Sequence, residues 1–214
     1  LAQWMARPEH PLTARVIVNR VWRWHFGEGL VLTTENFGVL GGKPSHPELL
    51  DYLANRFVEN GWSIKELNRL ILLSDTYGRS SDPLPSRDPE ADPENRLLSF
   101  FPVRRLEAEA IRDSILHVSG RLDPEMGGKT IPLRNRQMVF NHTSKDHTSY
   151  DSLRRTAYLP IVRNHVYDWL HLFDYPDPTM PTGNRPSTVI APQALLLVNS
   201  ALMTDSSSAF ASRI

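Results

Sequence analysis

The strongest constraint on the fold is a pair of adjacent helical patterns that meet at a tight turn. Over residues 45–77, apolar residues recur at the three- and four-residue spacing of helices with one buried face. Ser45 with Glu48, and Ser63 with Glu66, have the spacing of capping boxes, and the letters NGWS separate the two patterns. The stretch therefore predicts two antiparallel helices, the second extending to about residue 77.

Other stretches have the same periodicity. We expect further helices over residues 13–26, 104–119 and 165–173, and a last helix from about residue 192. In that last helix, one face would carry Ala194, Leu195, Val198, Ala201 and Leu202. Residues 157–162 alternate like a strand, and Pro160 places that strand at an edge because proline has no N–H to donate. The predicted class is mainly α, an irregular helical domain with long proline-rich loops and a minor β element near residues 157–162.

Length and composition limit the organisation of the chain. With 214 residues, of which 40% are hydrophobic, we expect one helical domain over residues 1–214, with loops at 79–95 and 123–155. The first residues, LAQWMA, are helix-like and do not begin with methionine. We therefore expect the chain to be a fragment of a larger multidomain protein.

Charge and cysteine content exclude several functions. The 24 basic and 24 acidic residues balance, so no overall field attracts nucleic acid. Because there is no cysteine, the chain cannot form disulfides, thiolate zinc sites or cysteine nucleophiles, and it cannot attach c-type haem covalently. We see no signal peptide and no apolar run of the roughly 20 residues that a membrane span needs.

The first long helix carries polar side chains on its apolar side. Arg15 and Asn19 continue a stripe that includes Trp22 and Phe26, and each needs a hydrogen-bond partner if it is buried. His25 lies among apolar neighbours at the end of the helix. It is either a base or metal ligand or, more commonly for such a position, a structural histidine. We interpret Arg15 and Asn19 as parts of a structural polar network.

The predicted helix over 104–119 has the densest group of charges. Arg105, Glu109 and Arg112 line up at i, i+4 and i+7 beside the apolar seam, and Asp113 lies at the edge of that strip. The strip is either ion-pair scaffolding or a clamp for an anion. We name the ligand-binding candidates Arg105, Glu109, Arg112, Arg155, Arg163 and Arg185. The structural polar network comprises Arg15, Asn19, Asp113, Asp174, Gln193 and Asn199.

No catalytic constellation emerges from the spacing of reactive residues. The chain has no G-x-S-x-G elbow and no phosphate-binding P-loop. His142, Asp146 and His147 lack a dependable ligand spacing, so we expect no metal site. Paired carboxylates for glycoside hydrolysis would have to come from distant segments, such as Glu109 with Asp174. Catalytic residues therefore stay unknown.

Several motifs in their order resemble a known family. They are HPLTARVIVNRVWRWHFGEGLV, SHPELLDYLA, GWSIKELNRLILLSDTY, DPENRLL, RRLEAEAIRDSILHVSGRLD, YLPIVRN, FDYPDP and STVIAPQALLLVNS. Together they resemble a planctomycete-enriched domain of unknown function, found in the C-terminal part of large proteins that often carry a c-type cytochrome domain. The resemblance covers nearly the whole chain. His10 stands where the family often has asparagine.

The resemblance implies a bacterial, exported or periplasmic setting, with any c-type haem in another domain and no cofactor in this chain. It supplies no catalytic residues. The leading hypothesis is a non-catalytic interaction or scaffold module whose partners are other domains of the same polypeptide. The alternative is a hydrolase or binding domain for anionic glycans, sulfated or uronic, held by the arginine candidates. Glycan binding through Trp4, Trp22, Trp62 or Trp169 is a third hypothesis.

Overall fold

A computed structural model describes residues 1–82, 92–131, 150–163 and 166–214. Within these ranges the chain forms eight α-helices and one 3-10 helix, so the mainly α class is confirmed. The helices are α1 (Ala2–Met5), α2 (Thr13–Phe26), α3 (Pro47–Glu59), α4 (Ile64–Leu72), α5 (Ala108–Val118), α6 (Asp168–Leu172), α7 (Ala191–Asn199) and α8 (Ala201–Ala211).

The chain divides into two compact units, Leu1–Arg104 and Arg105–Ile214. The expectations of a single domain over 1–214 and of a longer parent protein stay predictions. Parts of the two predicted loops, residues 83–91 and 132–149, lie outside the described residues, as do residues 164–165. His142, Asp146 and His147 are among them.

The first unit is built on α2, α3 and α4. Helix α2 begins and ends as predicted, and Gly27 ends it at φ 90°, a left-handed conformation that glycine adopts without strain. The apolar stripes of the three helices form one core. Its helical members are Ala14, Val18, Val21, Trp22, Phe26, Leu50, Leu53, Ala54, Phe57, Leu67 and Ile71.

For one of the two predicted capping boxes, the structure confirms that the serine is the N-cap of the helix. Ser63 caps α4, its hydroxyl accepting the Glu66 N–H at 3.3 Å. The prediction for Ser45 is wrong: α3 begins at Pro47 with His46 as its N-cap, so Ser45 lies one residue too early. Helix α4 also ends sooner than expected, at Leu72, and the chain turns at Ser74.

A buried asparagine holds the turn that follows α2. Asn19 is completely buried and bonds both backbone groups of Val31, accepting the N–H at 2.8 Å and donating to the carbonyl at 2.9 Å. Gly29 packs against this amide so closely that a Cβ would lie 2.7 Å from Asn19 Nδ2. The side chain thus supplies the hydrogen bonds that this irregular backbone does not make to a regular ladder.

The second unit has its own core. Trp169, Leu170 and Phe173 from α6 and the residue after it pack on Ala108 of α5, and partly buried residues of α7 and α8 surround them. The Trp169 indole donates to the Ala108 carbonyl at 3.2 Å. This bond satisfies a buried indole N–H and joins α6 to the first turn of α5.

Two helices of the second unit begin later than predicted, and the last is broken. Helix α5 starts at Ala108, and its N-cap, Glu107, is extended (φ −69°, ψ 156°). Arg105 therefore precedes the helix. Helix α6 covers only Asp168–Leu172. Ser200 adopts an extended conformation (φ −74°, ψ 143°) and separates α7 from α8, so the single apolar face predicted across 194–202 does not form.

The predicted β element near 157–162 is also revised. Thr156–Tyr158 form a 3-10 helix, with the Tyr158 N–H bonded to the Arg155 carbonyl at 2.9 Å. An isolated β-bridge joins Asp123 to Arg154 nearby. Within 157–162, Leu159 is buried and Val162 is paired as a β-bridge residue, so the β element is limited to that position.

Replacement of Asn19 tests its role in the first unit. Asn19→Leu leaves the buried N–H and carbonyl of Val31 without their partner, so we expect the free energy of unfolding to fall by about 2–4 kcal/mol. Asn60→Ala, at an exposed helix end, is the matched control and should change it by less than about 1 kcal/mol. Urea unfolding followed by circular dichroism measures both, and equal effects would contradict this role.

Candidate functional site

The charged residues of the predicted strip form three separate sets of contacts, which we call ties. Each tie joins α5, or Arg105 just before it, to a different segment of the second unit. Arg112 is the most deeply buried, at 1% exposure. Its guanidinium donates to the carbonyls of Arg154 (2.9 Å) and Ser152. It also donates to the Thr156 hydroxyl at 3.1 Å and lies over the Tyr167 ring. The side chain thus fixes an irregular segment against the helix.

Asp113 extends this tie. Its Oδ1 accepts both the Thr156 N–H, at 2.8 Å, and the Thr156 hydroxyl, at 2.6 Å. The Thr156 hydroxyl therefore accepts from Arg112 and donates to Asp113. The Arg112–Asp113 ion pair itself is loose, 3.6 Å, so carbonyl and hydroxyl oxygens are the principal partners of the cation.

Arg105 makes the second tie, and its partner is Asp174. The guanidinium Nη2 donates to Asp174 Oδ2 at 2.5 Å, and Nη1 donates to the Thr188 carbonyl. Asp174 accepts the Thr188 N–H and hydroxyl, each at 2.8 Å. One arginine and one aspartate therefore hold the segment around Thr188 beside the end of α6. In the Arg105–Asp174 pair, side-chain exposures are only 23% and 13%.

Asp174 is electrostatically and conformationally constrained. Burial alone would raise its pKa, but hydrogen bonds from Thr188 and Arg105 outweigh burial and hold the pKa below the ordinary value. Its backbone is left-handed, at φ 62°, a conformation that aspartate tolerates better than most residues. The carboxylate is thus committed to its charged form by contacts within the unit.

Glu109 makes the third tie, with Arg185 instead of Arg105 or Arg112. The pair is bidentate, with N–O distances of 2.8 and 2.9 Å, and Glu107 adds a third oxygen at 3.3 Å. Burial lowers the pKa of Arg185, but the Glu109 contacts more than compensate and raise it overall. The Arg185 guanidinium also lies 5.1 Å from the centre of the Tyr175 ring. This geometry is the strong, directional form of a carboxylate–guanidinium pair.

Gln193 and Asn199 have different environments on α7. Gln193 is 6% exposed, donates to the Leu172 carbonyl at 2.9 Å, and accepts the Ile190 N–H at 3.3 Å. Its amide thereby caps the start of α7 and joins it to the end of α6. Asn199 lies exposed at the last position of α7. Its assignment to the structural network stays a prediction.

Arg155 and Arg163 stand apart from these ties. Both are exposed, and neither forms an ion pair or side-chain hydrogen bond within the described residues. A cavity of about 390 Å³ does exist in this unit, lined partly by Arg121, Tyr167 and Asp205. Of the six ligand-binding candidates, Arg112 alone is among its described lining residues. Among the residues that the structure describes, the other five candidates therefore lie outside this cavity.

In the first unit, Arg15 and His25 of α2 also have internal partners. Arg15 donates to Asp51 at 2.6 Å and to the Pro11 carbonyl at 2.5 Å. The His25 ring shares a hydrogen bond with Asn68 at 2.8 Å, and its ring meets the Tyr77 ring edge to face. These contacts favour the structural interpretation of His25.

Important partners were absent from the sequence predictions. Thr156, Thr188 and the carbonyls of Ser152 and Arg154 are ordinary residues without a motif. They lie 40–83 positions from the arginines that they contact. Helical spacing reveals neighbours on one helix but carries no signal for such contacts.

Within residues 1–82, 92–131, 150–163 and 166–214, no helix is long and apolar enough to cross a membrane. The same ranges contain no group of three or more histidine or acidic side chains that could hold a metal ion.

The fold and the ties define a helical domain whose charged side chains support irregular loops. The chain belongs to the family described as PSD1, a protein of unknown function (DUF1553), whose model matches residues 1–214. No curated protein and no solved structure is significantly similar to it.

Substitution of Arg112 tests the deepest tie. Arg112→Leu removes the donors to two carbonyls and a hydroxyl, and we expect the free energy of unfolding to fall by about 2–4 kcal/mol. Arg155→Leu, at an exposed arginine on the adjacent segment, should change it by about 0.5 kcal/mol or less. Chemical denaturation compares the two variants. If both have the same stability, Arg112 does not hold this segment.

Acid titration tests Asp174. Because its pKa is held below the ordinary 3.8, its ionised form stabilises the fold above that pH, and this contribution disappears as the pH falls through the lower native pKa. We expect Asp174→Asn to destabilise the protein by about 2 kcal/mol at pH 7. The difference from wild type should shrink below about pH 4.

Asp177→Asn is the matched control for this titration. The Asp177 pKa is lowered by hydrogen bonds from Thr179 in an exposed turn, which joins no other element. Its effect on unfolding should therefore be smaller at every pH. A difference for Asp174→Asn that does not vary with pH would contradict the account.

Proposed function

We propose that this domain is a non-catalytic interaction module of an exported, cytochrome-associated bacterial protein, and that it binds other domains of the same polypeptide. The observation that carries the proposal is the α7 apolar face, which consists of Val189, two residues before the helix, and of Leu195 and Val198 within it. Their exposed fractions are 93%, 60% and 75%. Gln193 is the buried residue of this helix.

An apolar helix of this kind is unusual on a free surface. Helix α7 contains one polar side chain besides its terminal asparagine, yet its leucine and valine side chains at 195 and 198 face solvent. Contiguous exposed apolar residues mark surfaces that a partner covers. Because Gln193 ties the helix to the Leu172 carbonyl, the face is presented in a fixed orientation.

The engaged charges support the same conclusion. A site for chemistry on a substrate needs side chains that converge on accessible space. In the second unit, Arg105, Glu109 and Arg112 are instead occupied by contacts within the unit. The exported setting, and haem in a separate domain, rest on the family resemblance of the motifs.

Disruption of the α7 apolar face tests the proposal. The neighbouring domains of the parent polypeptide, produced as a separate chain, should bind residues 1–214 in a surface plasmon resonance assay. The double variant Leu195→Glu/Val198→Glu should weaken that binding at least tenfold, because each carboxylate would need to be desolvated at the interface.

The matched control is Leu73→Glu, at a leucine of the first unit that is 80% exposed. It should bind as wild type does, and circular dichroism should show that both variants stay folded. Absence of wild-type binding, or equal binding by the two variants, would refute the proposal.

One observation keeps anionic glycan as a second candidate ligand. Arg155 and Arg163 are exposed and form no ion pair within the described residues, so they could contact sulfate or carboxylate groups. Titration calorimetry with sulfated and uronic oligosaccharides separates the candidates. Millimolar or tighter binding that is lost in Arg155→Gln/Arg163→Gln would favour the glycan function. Absence of heat at millimolar ligand would exclude it.

A further inference from the structure

A cavity of about 310 Å³ lies within the first unit, and the proposed function does not use it. Its floor is formed by Trp22, Phe26 and Leu30, which are buried in the core. Leu32, Leu98, Pro102 and Val103 add apolar sides. Its size is that of pockets that receive a ligand group, and apolar and polar side chains contribute to the lining in similar measure.

Two short loops form the walls of this cavity, and a buried asparagine holds each one. The first loop, residues 27–32, is pinned by the bonds between Asn19 and Val31. The second loop, residues 94–98, is pinned by Asn95, which is 8% exposed and donates to the Phe100 carbonyl at 2.8 Å. The cavity is therefore preformed, which lowers the entropy cost of binding.

The second loop also has strained backbone. Asn95 and Leu98 have left-handed backbone angles, at φ 50° and 52°. Asparagine tolerates this conformation, whereas leucine rarely adopts it. The Asp92 carboxylate holds the loop in place by accepting the N–H groups of Arg96 (2.8 Å) and Leu97 (2.9 Å). Strain that neighbouring bonds enforce in this way clusters at ligand clamps.

The rim of the cavity carries both acidic and basic side chains. Glu28, Glu94, Arg96 and Arg104 are exposed and line its entrance. Arg104 also donates to the Trp24 carbonyl near the end of α2. With two carboxylates and two guanidiniums, the rim favours neither a free anion nor a free cation. It can pair with both kinds of charged side chain in a polypeptide.

We propose that this cavity binds one large apolar side chain of a partner protein segment, with charged residues beside it that pair with the rim. An engineered cavity of about 150 Å³ accommodates benzene, so this volume is ample for a phenylalanine or leucine side chain. An apolar anchor in a preformed pocket with a polar rim is the usual arrangement of an interface hot spot. The inference rests on the proposed binding of protein partners. It adds a site in the first unit, whereas the α7 apolar face belongs to the second.

The first experiment uses small blocked amino acids as probes. Residues 1–214, labelled with ¹⁵N, are titrated with N-acetyl-phenylalaninamide, and the Trp22 indole N–H signal is followed. We expect saturable shifts at millimolar probe, and no such shifts with N-acetyl-glutaminamide. Linear, unsaturable shifts with the phenylalanine probe would overturn the proposal, as would equal binding of a sulfated disaccharide at the same signal.

Filling the cavity provides the matched comparison. Leu32→Trp places a larger side chain on the cavity wall, whereas Leu73→Trp makes the same change at an exposed leucine outside the lining. Binding of the phenylalanine probe should weaken at least tenfold in the first variant and stay unchanged in the second. Equal binding by the two variants would place the probe elsewhere and refute the site.

Leu98→Gly tests the strained wall if the tryptophan variant fails to fold. Glycine relieves the left-handed strain and also removes an apolar wall, so the melting temperature should stay near that of wild type while probe binding weakens. Unchanged binding would contradict the proposal. Leu195→Glu/Val198→Glu should bind the probe normally, so failure of this cavity and failure of the α7 apolar face are distinguishable.

Discussion

Irregular backbone must find partners for its N–H and carbonyl groups, and in the second unit the side chains of α5 provide them. Segment 152–156 makes no regular ladder with another strand apart from one isolated bridge at Arg154. Arg112 and Asp113 supply hydrogen bonds to its backbone in complementary ways. The arginine donates to two of its carbonyls, and the aspartate accepts the Thr156 N–H. These bonds offset part of the desolvation cost of the buried polar groups that make them.

The same principle organises the other ties. Arg105 and Asp174 hold Thr188, while Gln193 connects α7 to the end of α6. In the first unit, Asn19 and Asn95 bind the backbone of two short loops. A chain with long irregular segments can thus form two well-packed units without a β-sheet in the described ranges. The consequence for function is that many reactive-looking residues are already occupied.

Local contacts were predictable from the sequence, whereas distant ones were not. Helix α2 and the Ser63 cap follow from patterns within a few residues, and the structure agrees with both. The Arg105–Glu109–Arg112 strip assumed a helix that reaches back to residue 104. Because α5 begins at Ala108, Arg105 is not part of the helix, and its side chain pairs with Asp174, 69 positions away. The break at Ser200 did have a local signal that apolar periodicity does not include, because the serine hydroxyl caps α8 by accepting the Met203 N–H at 3.3 Å.

The central claim is that the charges around α5 are structural pairs. A double-mutant cycle on Glu109→Gln and Arg185→Met tests it most directly, because their contact is bidentate and each side chain is 26% exposed. Urea unfolding of the wild type, both single variants and the double variant measures the coupling. The account predicts a coupling free energy of about 1–2 kcal/mol. Additive effects, with no coupling between the two residues, would contradict it.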